Sequence, residues 1–231
     1  MLVAVTGASG LIGTALVGRL QAEGHQVLRL TRSRPSGPDQ AQWDPMAGRL
    51  DPDALAKADA VVHLAAKSIG DRLRWTATTK REILETRVKG TGLVARTMAG
   101  LVGGPRVLVC ASGVGFYGDR GDEVLTEASS GGRGFLADVV RQWEAAADPA
   151  RAAGLRVVHL RTGPVQDAAG AGEGQEPDAL VAQQAQVPLV VAQCLADPAV
   201  GQQPGVGVGA GGEALQHHGQ QVLLHRRRPG D

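Results

Sequence analysis

Five short apolar runs recur through residues 1–163, and most are followed by a polar or glycine-bearing turn and a stretch of helical period. The runs are Leu2-Val3-Ala4-Val5, Gln26 to Leu30, Ala60 to Leu64, Arg106 to Ala111 and Leu155 to Leu160. Runs this short with almost no polar member suit strands buried on both faces of a parallel sheet. Between them lie helical stripes. Leu11, Ile12, Ala15, Leu16 and Leu20 mark the first, with Gly24 as its stop signal. Ile83, Leu84, Val88, Leu93, Val94 and Met98 mark a long helix over 79–98 with Thr79 as candidate N-cap, and Gly90 and Gly92 signal close packing on a neighbour. Leu136, Val139, Val140 and Trp143 mark another over 135–147. Between residues 35 and 58 the chain is polar and proline-bearing, with a short edge strand expected at Trp43-Asp44 and a helix capped by Asp51-Pro52-Asp53. Alternating strands and helices predict an α/β fold, a doubly wound parallel sheet.

Past Gly163 the pattern breaks. Residues 164–231 contain no Ser, Thr, Lys, Ile, Met, Phe, Tyr or Trp, and Gln202 to Gly212 is low in complexity. Such a segment offers little apolar area against the entropy of ordering it, so an atypical, poorly packed tail is expected, with Leu180 to Leu195 a marginal helix broken at Pro188. The expected division is therefore a nucleotide-binding domain over 1–163 and a tail over 164–231. His217, His218, His225 and Arg226 to Arg228 read as solvated, not as a metal or nucleic-acid site.

The first turn carries the chemistry. Strand, Thr6-Gly7-Ala8-Ser9-Gly10-Leu11-Ile12-Gly13 and helix follow one another as a phosphate-binding βαβ opening requires. One glycine makes the tight turn, one lets backbone approach a pyrophosphate, and one lets helix and strand pack closely. Gly7, Ser9, Gly10, Leu11, Ile12 and Gly13 are thus cofactor-binding candidates. A domain that prefers NAD places an acid after the second strand. Here the chain reads Thr31-Arg32-Ser33-Arg34 with no acid before Asp39, which suits the 2′-phosphate of NADP(H). His63, Leu64, Ala65 and Ala66 lie where ligands bind beside the third run, and the His63 ring itself is expected to be packed.

Composition narrows the partners. The 231 residues carry a net charge of +1, which makes no case for nucleic acid or a membrane surface. No membrane-length apolar run or signal segment is legible, and two unpatterned cysteines, Cys110 and Cys194, fit a reducing cytoplasm. No metal site is expected, a small-molecule substrate is, and the oligomeric state is open.

These motifs, together with Arg74-Trp75, Thr86 to Thr91, Ser112 to Asp119, Gly134 to Ala137, Trp143-Glu144 and Leu160 to Gly163, resemble the extended or atypical short-chain dehydrogenase/reductase superfamily. More narrowly the chain resembles its "epimerase family" proteins, of nucleotide-sugar epimerase type. The resemblance covers residues 1–163. It implies a Rossmann fold, NADP(H) binding that also draws in Arg87 and Arg161, and a C-terminal substrate domain. The tail does not match that domain and reads as diverged, truncated or out of frame. The superfamily's Tyr-x-x-x-Lys pair is also absent: Tyr117 is the only tyrosine, every lysine lies at or before Lys89, and Leu136 and Val140 stand where the pair would be. Ser112 and Tyr117 remain the catalytic candidates, Ser112 to polarise a substrate oxygen and Tyr117 as proton donor or packed ring. Two functions stay open: an NADP(H)-dependent oxidoreductase or epimerase-like enzyme of unknown substrate, and a non-catalytic NADP(H)-binding sensor or interaction protein.

Overall fold

A computed structural model describes residues 1–69, 75–163, 165, 177–196 and 206–208. The expected strands form. In chain order they are β1 (Leu2–Thr6), β2 (Gln26–Thr31), β3 (Gln40–Asp44), β4 (Arg49–Leu50), β5 (Ala60–His63), β6 (Val107–Gly113), β7 (Arg156–Thr162) and β8 (Val206–Val208). They make one sheet in the order β4-β3-β2-β1-β5-β6-β7-β8, parallel except for the β3–β4 pair. The fold is thus a Rossmann-like, doubly wound sheet.

Each central strand is buried on both faces. Val3, Val5, Val62 and Val109 pack into one apolar cluster, while Ala4, Val61, Leu108 and Cys110, one residue out of step, pack into a second. The two-residue period of a strand requires that division. Helix α1 (Leu11–Ala22) supplies Leu16, Val17 and Leu20 to the first cluster. The second is closed by α2 (Pro52–Ala56) and α3 (Ala77–Ala99), with Trp43, Leu50, Leu55, Val94 and Met98. Helices α4 (Phe135–Ala145) and α5 (Asp148–Ala152) pack against α3 on the same side.

Several boundaries differ from the sequence pattern for local reasons. Thr76, not Thr79, caps α3: its hydroxyl accepts the Thr79 N–H at 3.2 Å. The short edge strand expected at Trp43-Asp44 is longer, β3, paired in parallel with β2 and in antiparallel with β4. Strand β6 runs on through Ser112 and Gly113 because both pair with β7, so Ser112 is a strand residue. Gly90 justifies its signal, since a methyl group there would press on the His63 ring at 3.4 Å.

Within the expected tail, the marginal helix read over Leu180 to Leu195 is longer and packed. Pro177–Ala196 forms helix α6, unbroken at Pro188. Its Val187, Val190, Val191, Cys194 and Leu195 are buried in the first cluster alongside α1. These residues recur at i, i+3, i+4, i+7 and i+8, a helical stripe that the surrounding Gln and Ala dilute in any composition average. Strand β8 adds to β7. Residues 202–205 and 209–212 of the low-complexity stretch, the histidines at 217, 218 and 225, Arg226 to Arg228 and Arg74 lie outside the described residues. No helix among the described residues is long and apolar enough to cross a membrane.

Candidate functional site

The site begins where β1 ends. Gly7 takes a φ of +70°, and a side chain there would meet the Ala65 backbone nitrogen at 2.9 Å. Only glycine serves both needs cheaply. The Gly7 carbonyl accepts the Gly10 N–H at 3.0 Å and closes the turn. A methyl group on Gly13 would run into that same carbonyl oxygen, so helix α1 can sit this close to β1 only with glycine there. Gly10 differs. It precedes α1 in extended conformation, and a methyl group would touch only Gly7 O, at 3.4 Å, with open space beyond. No side chain caps α1 and no acid occupies its first turn. The Ser9–Leu11 corner is exposed at the positive end of the helix dipole, the environment an anion seeks.

Strand β2 delivers Arg32, Ser33 and Arg34 to the same edge of the sheet, all three exposed. The Ser33 N–H donates to Thr31 Oγ1 at 3.2 Å, which bends the chain off the strand. Neither arginine makes an ion pair with a described residue. Asp39, the first acid downstream, is drawn to Arg29 at 2.5 Å.

Strand β5 closes the third side. Leu64 and Ala65 donate their N–H groups to Thr6 Oγ1 at 3.1 and 3.2 Å, and Ala66 is exposed. The His63 side chain does not reach a ligand surface: it is fully enclosed, bonded through Nδ1 to Thr6 Oγ1 at 2.7 Å and set edge-on to Trp43. Burial pushes its pKa down to about 4.

The far side of the edge, β6, β7 and α4, is organised differently. Arg161 is buried and grips Glu144 with Nε and Nη2, both at 2.8 Å. Its third nitrogen donates to the Tyr117 hydroxyl at 3.0 Å, and its guanidinium lies 3.5 Å from the centre of the Phe116 ring. Ser112 donates its hydroxyl to Glu144 at 2.6 Å. Burial works to raise the Glu144 carboxyl, but the hydrogen bonds from Arg161 and Ser112 and nearby positive charge hold it below the ordinary carboxylate value. Glu144 in turn raises Arg161 against its own burial.

Four candidate residues of the sequence are engaged inside the protein. The Ser112 hydroxyl proton is committed to Glu144 and not offered to a substrate. Tyr117, 3% exposed, takes the packed-ring role. Arg161 has all three nitrogens engaged within the protein and no surface for a cofactor. Arg87 is buried too: it donates to the Ile83 carbonyl at 3.1 Å and lies over the Trp143 ring, and burial lowers its pKa to about 10. Glu144, the hub, has no chemical role in the sequence reading. Its signal was its place beside Trp143 and the Leu160-Arg161 element, but pairing across 17 residues is a tertiary fact. Leu136 and Val140 do face the glycines of the β6 edge, since methyl groups on Gly115 and Gly113 would approach them at 3.2 and 3.9 Å. That corner is apolar.

Comparison with known proteins decides the family. The family model described as NAD dependent epimerase/dehydratase matches residues 3–165. The chain belongs to the NAD-dependent epimerase/dehydratase family. An epimerase family protein of Mycobacterium bovis is 42% identical over 168 residues, covering 73% of this chain and 55% of the relative. The human epimerase family protein SDR39U1 is 36% identical over 149 residues, 64% of this chain and 49% of that protein. A crystal structure of the human protein with NADPH superposes with a TM-score of 0.67 at 28% identity, covering 90% of this chain and 74% of that one. A nucleoside-diphosphate sugar epimerase from Corynebacterium glutamicum gives 0.64 at 32% identity, covering 89% and 53%. The chain spans about half the length of the curated relatives it matches.

Proposed function

We propose that this chain holds NADP(H) along the upper edge of its sheet. The Gly7–Gly13 turn receives the pyrophosphate, and Arg32, with Ser33 and Arg34, receives the 2′-phosphate. One observation carries the choice of NADP(H) over NAD(H): the two arginines past β2 are exposed and unpaired among the described residues, while the first acid, Asp39, is turned away by Arg29. The human relative crystallised with NADPH supports it. When bound, such a cofactor supplies hydride transfer. On this reading the protein is an oxidoreductase or epimerase-like member of its family acting on a small molecule. Two buried free thiols suit a reducing compartment, and we take the cytoplasm as its setting.

A second reading, cofactor binding without turnover, is favoured by the apolar Leu136–Val140 corner and by the internal commitment of Ser112 and Tyr117. Calorimetry tests the first point: NADPH should bind more tightly than NADH, and Arg32→Ala should cost about 1–3 kcal/mol with NADPH while leaving NADH unchanged. Equal affinity for both cofactors in the unmodified chain refutes it. Turnover across a panel of carbonyl substrates then separates enzyme from binding protein.

A further inference from the structure

The Thr6 hydroxyl has three partners. Two are backbone N–H groups, of Leu64 at 3.1 Å and Ala65 at 3.2 Å, and the third is His63 Nδ1 at 2.7 Å. A hydroxyl oxygen accepts two bonds and donates one. Backbone N–H groups can only donate, so both bonds fall on the acceptor side of the oxygen, the Leu64 N–H being shared with the Thr6 carbonyl at 3.3 Å. That leaves the hydroxyl proton for His63 Nδ1, which is then bare, with the ring proton on Nε2. Nε2 has no partner among the described residues and looks toward Gly90, whose missing side chain leaves room for it. The backbone that Thr6 fixes, Leu64-Ala65, is the surface on which the Gly7 turn rests.

We propose that His63 is a positioning residue for the dinucleotide cradle: through its bare Nδ1 it orients the Thr6 hydroxyl, which pins the end of β5 under the glycine turn. The proposal rests on the reading that this turn holds the dinucleotide. It assigns a purpose to a buried histidine that touches no ligand. Its oxygen partner sits on β1, so the pair ties the two strands beneath the cofactor at the level where the turn begins.

Two measurements on the full-length chain test it. Long-range proton–nitrogen correlation spectra of the labelled protein should show His63 protonated at Nε2 and bare at Nδ1, and a protonated Nδ1 overturns the proposal. NADPH titrations should show His63→Leu and Thr6→Val each weaker by roughly tenfold, the scale of one hydrogen bond. His63→Asn, which keeps an acceptor near the Nδ1 position, and Thr6→Ser should restore affinity to within about threefold of the unmodified chain, a smaller change than one such bond is worth. The double variant His63→Leu/Thr6→Val should be no weaker than Thr6→Val alone, because with no hydroxyl at position 6 the ring at 63 has nothing left to orient. Unchanged affinity for His63→Leu, or additive losses in the double variant, refutes the proposal. If His63→Leu does not fold, the contrast between Thr6→Ser and Thr6→Val decides. If the unmodified chain binds no NADPH, the cofactor reading falls, and the spectrum still decides the proton.

Discussion

The two halves of the sheet's upper edge handle their polar groups in opposite ways. On the β1–β2 side the structure leaves them open: an uncapped helix start, a glycine with empty space in front of it, two arginines without an ion-pair partner among the described residues. On the β6–β7 side the polar groups close on each other, with Ser112, Tyr117 and Arg161 all bonded around Glu144 or Arg161 and largely removed from solvent. Both sides show functional-looking residue types in sequence. Only the open side keeps donors available for a ligand, and a donor already satisfied inside the protein stabilises the fold instead. The difference separates a binding edge from an internal brace.

The largest effect expected from breaking that contrast is on the brace. Glu144→Ala leaves Arg161 buried without its carboxylate and should cost about 3–5 kcal/mol of stability, read by denaturant unfolding. The same region sets the acid response. Glu144 is held below the ordinary carboxylate value, so its contribution is complete at neutral pH and is lost as pH falls through the depressed value. His63 and His159, pushed by burial from 6.5 to about 4, act with the same sign: below 6.5 the unfolded rings take protons that the folded ones refuse. Melting temperature should therefore fall from pH 6.5 toward 4, and His159→Leu should flatten part of that slope.

Next in size is a change on the open edge. Gly10→Val should weaken NADPH roughly a hundredfold or more, about 3 kcal/mol, while the protein stays folded, because the new side chain fills ligand space and not core. Retained binding by calorimetry would show that Gly10 is only a turn residue. A smaller effect is expected from the part of the chain whose composition argued against packing. A chain ending at Gly163 should melt more than about 4 °C lower than the full chain, since it loses the stripe that covers α1; an unchanged melting temperature would return the segment to a loose tail. Val191→Ala, a single contact in that stripe, should cost about 2 kcal/mol and leave NADPH affinity unchanged.

Much of the architecture was legible because short apolar runs and helical stripes report directly on what must be buried. The five runs became central strands, and the Gly7–Gly13 spacing located the turn before its φ angles or close approaches were visible. Cap positions were less so. Thr76 and Thr79 are both good caps on composition, and the start of the helix was settled by Trp75 docking on Phe135 and the Ile69 carbonyl next to it. Helix α6 was legible only as a marginal helix over Leu180 to Leu195, broken at Pro188, because its five buried positions are embedded in Gln and Ala, and a mean over the segment hides a stripe that only a helical projection reveals.

Sequence alone determined the parallel sheet, the first turn with its three glycines, the basic pair after the second strand and the absence of a Tyr-x-x-x-Lys pair. Those are local facts: which residue follows which, and which backbone or side-chain chemistry it permits. What only the tertiary structure decided is the fate of each polar side chain. Ser112, Glu144 and Arg161 are separated by 32 and 17 positions, and neighbouring strands and a helix bring them within hydrogen-bond distance. Thr6 and His63 are 57 apart and meet because β1 and β5 are paired. A hydrogen-bonding group has a limited number of partners, and whether those partners lie in the protein or remain for a ligand is fixed by the packing of distant elements, a relation no single stretch of chain contains.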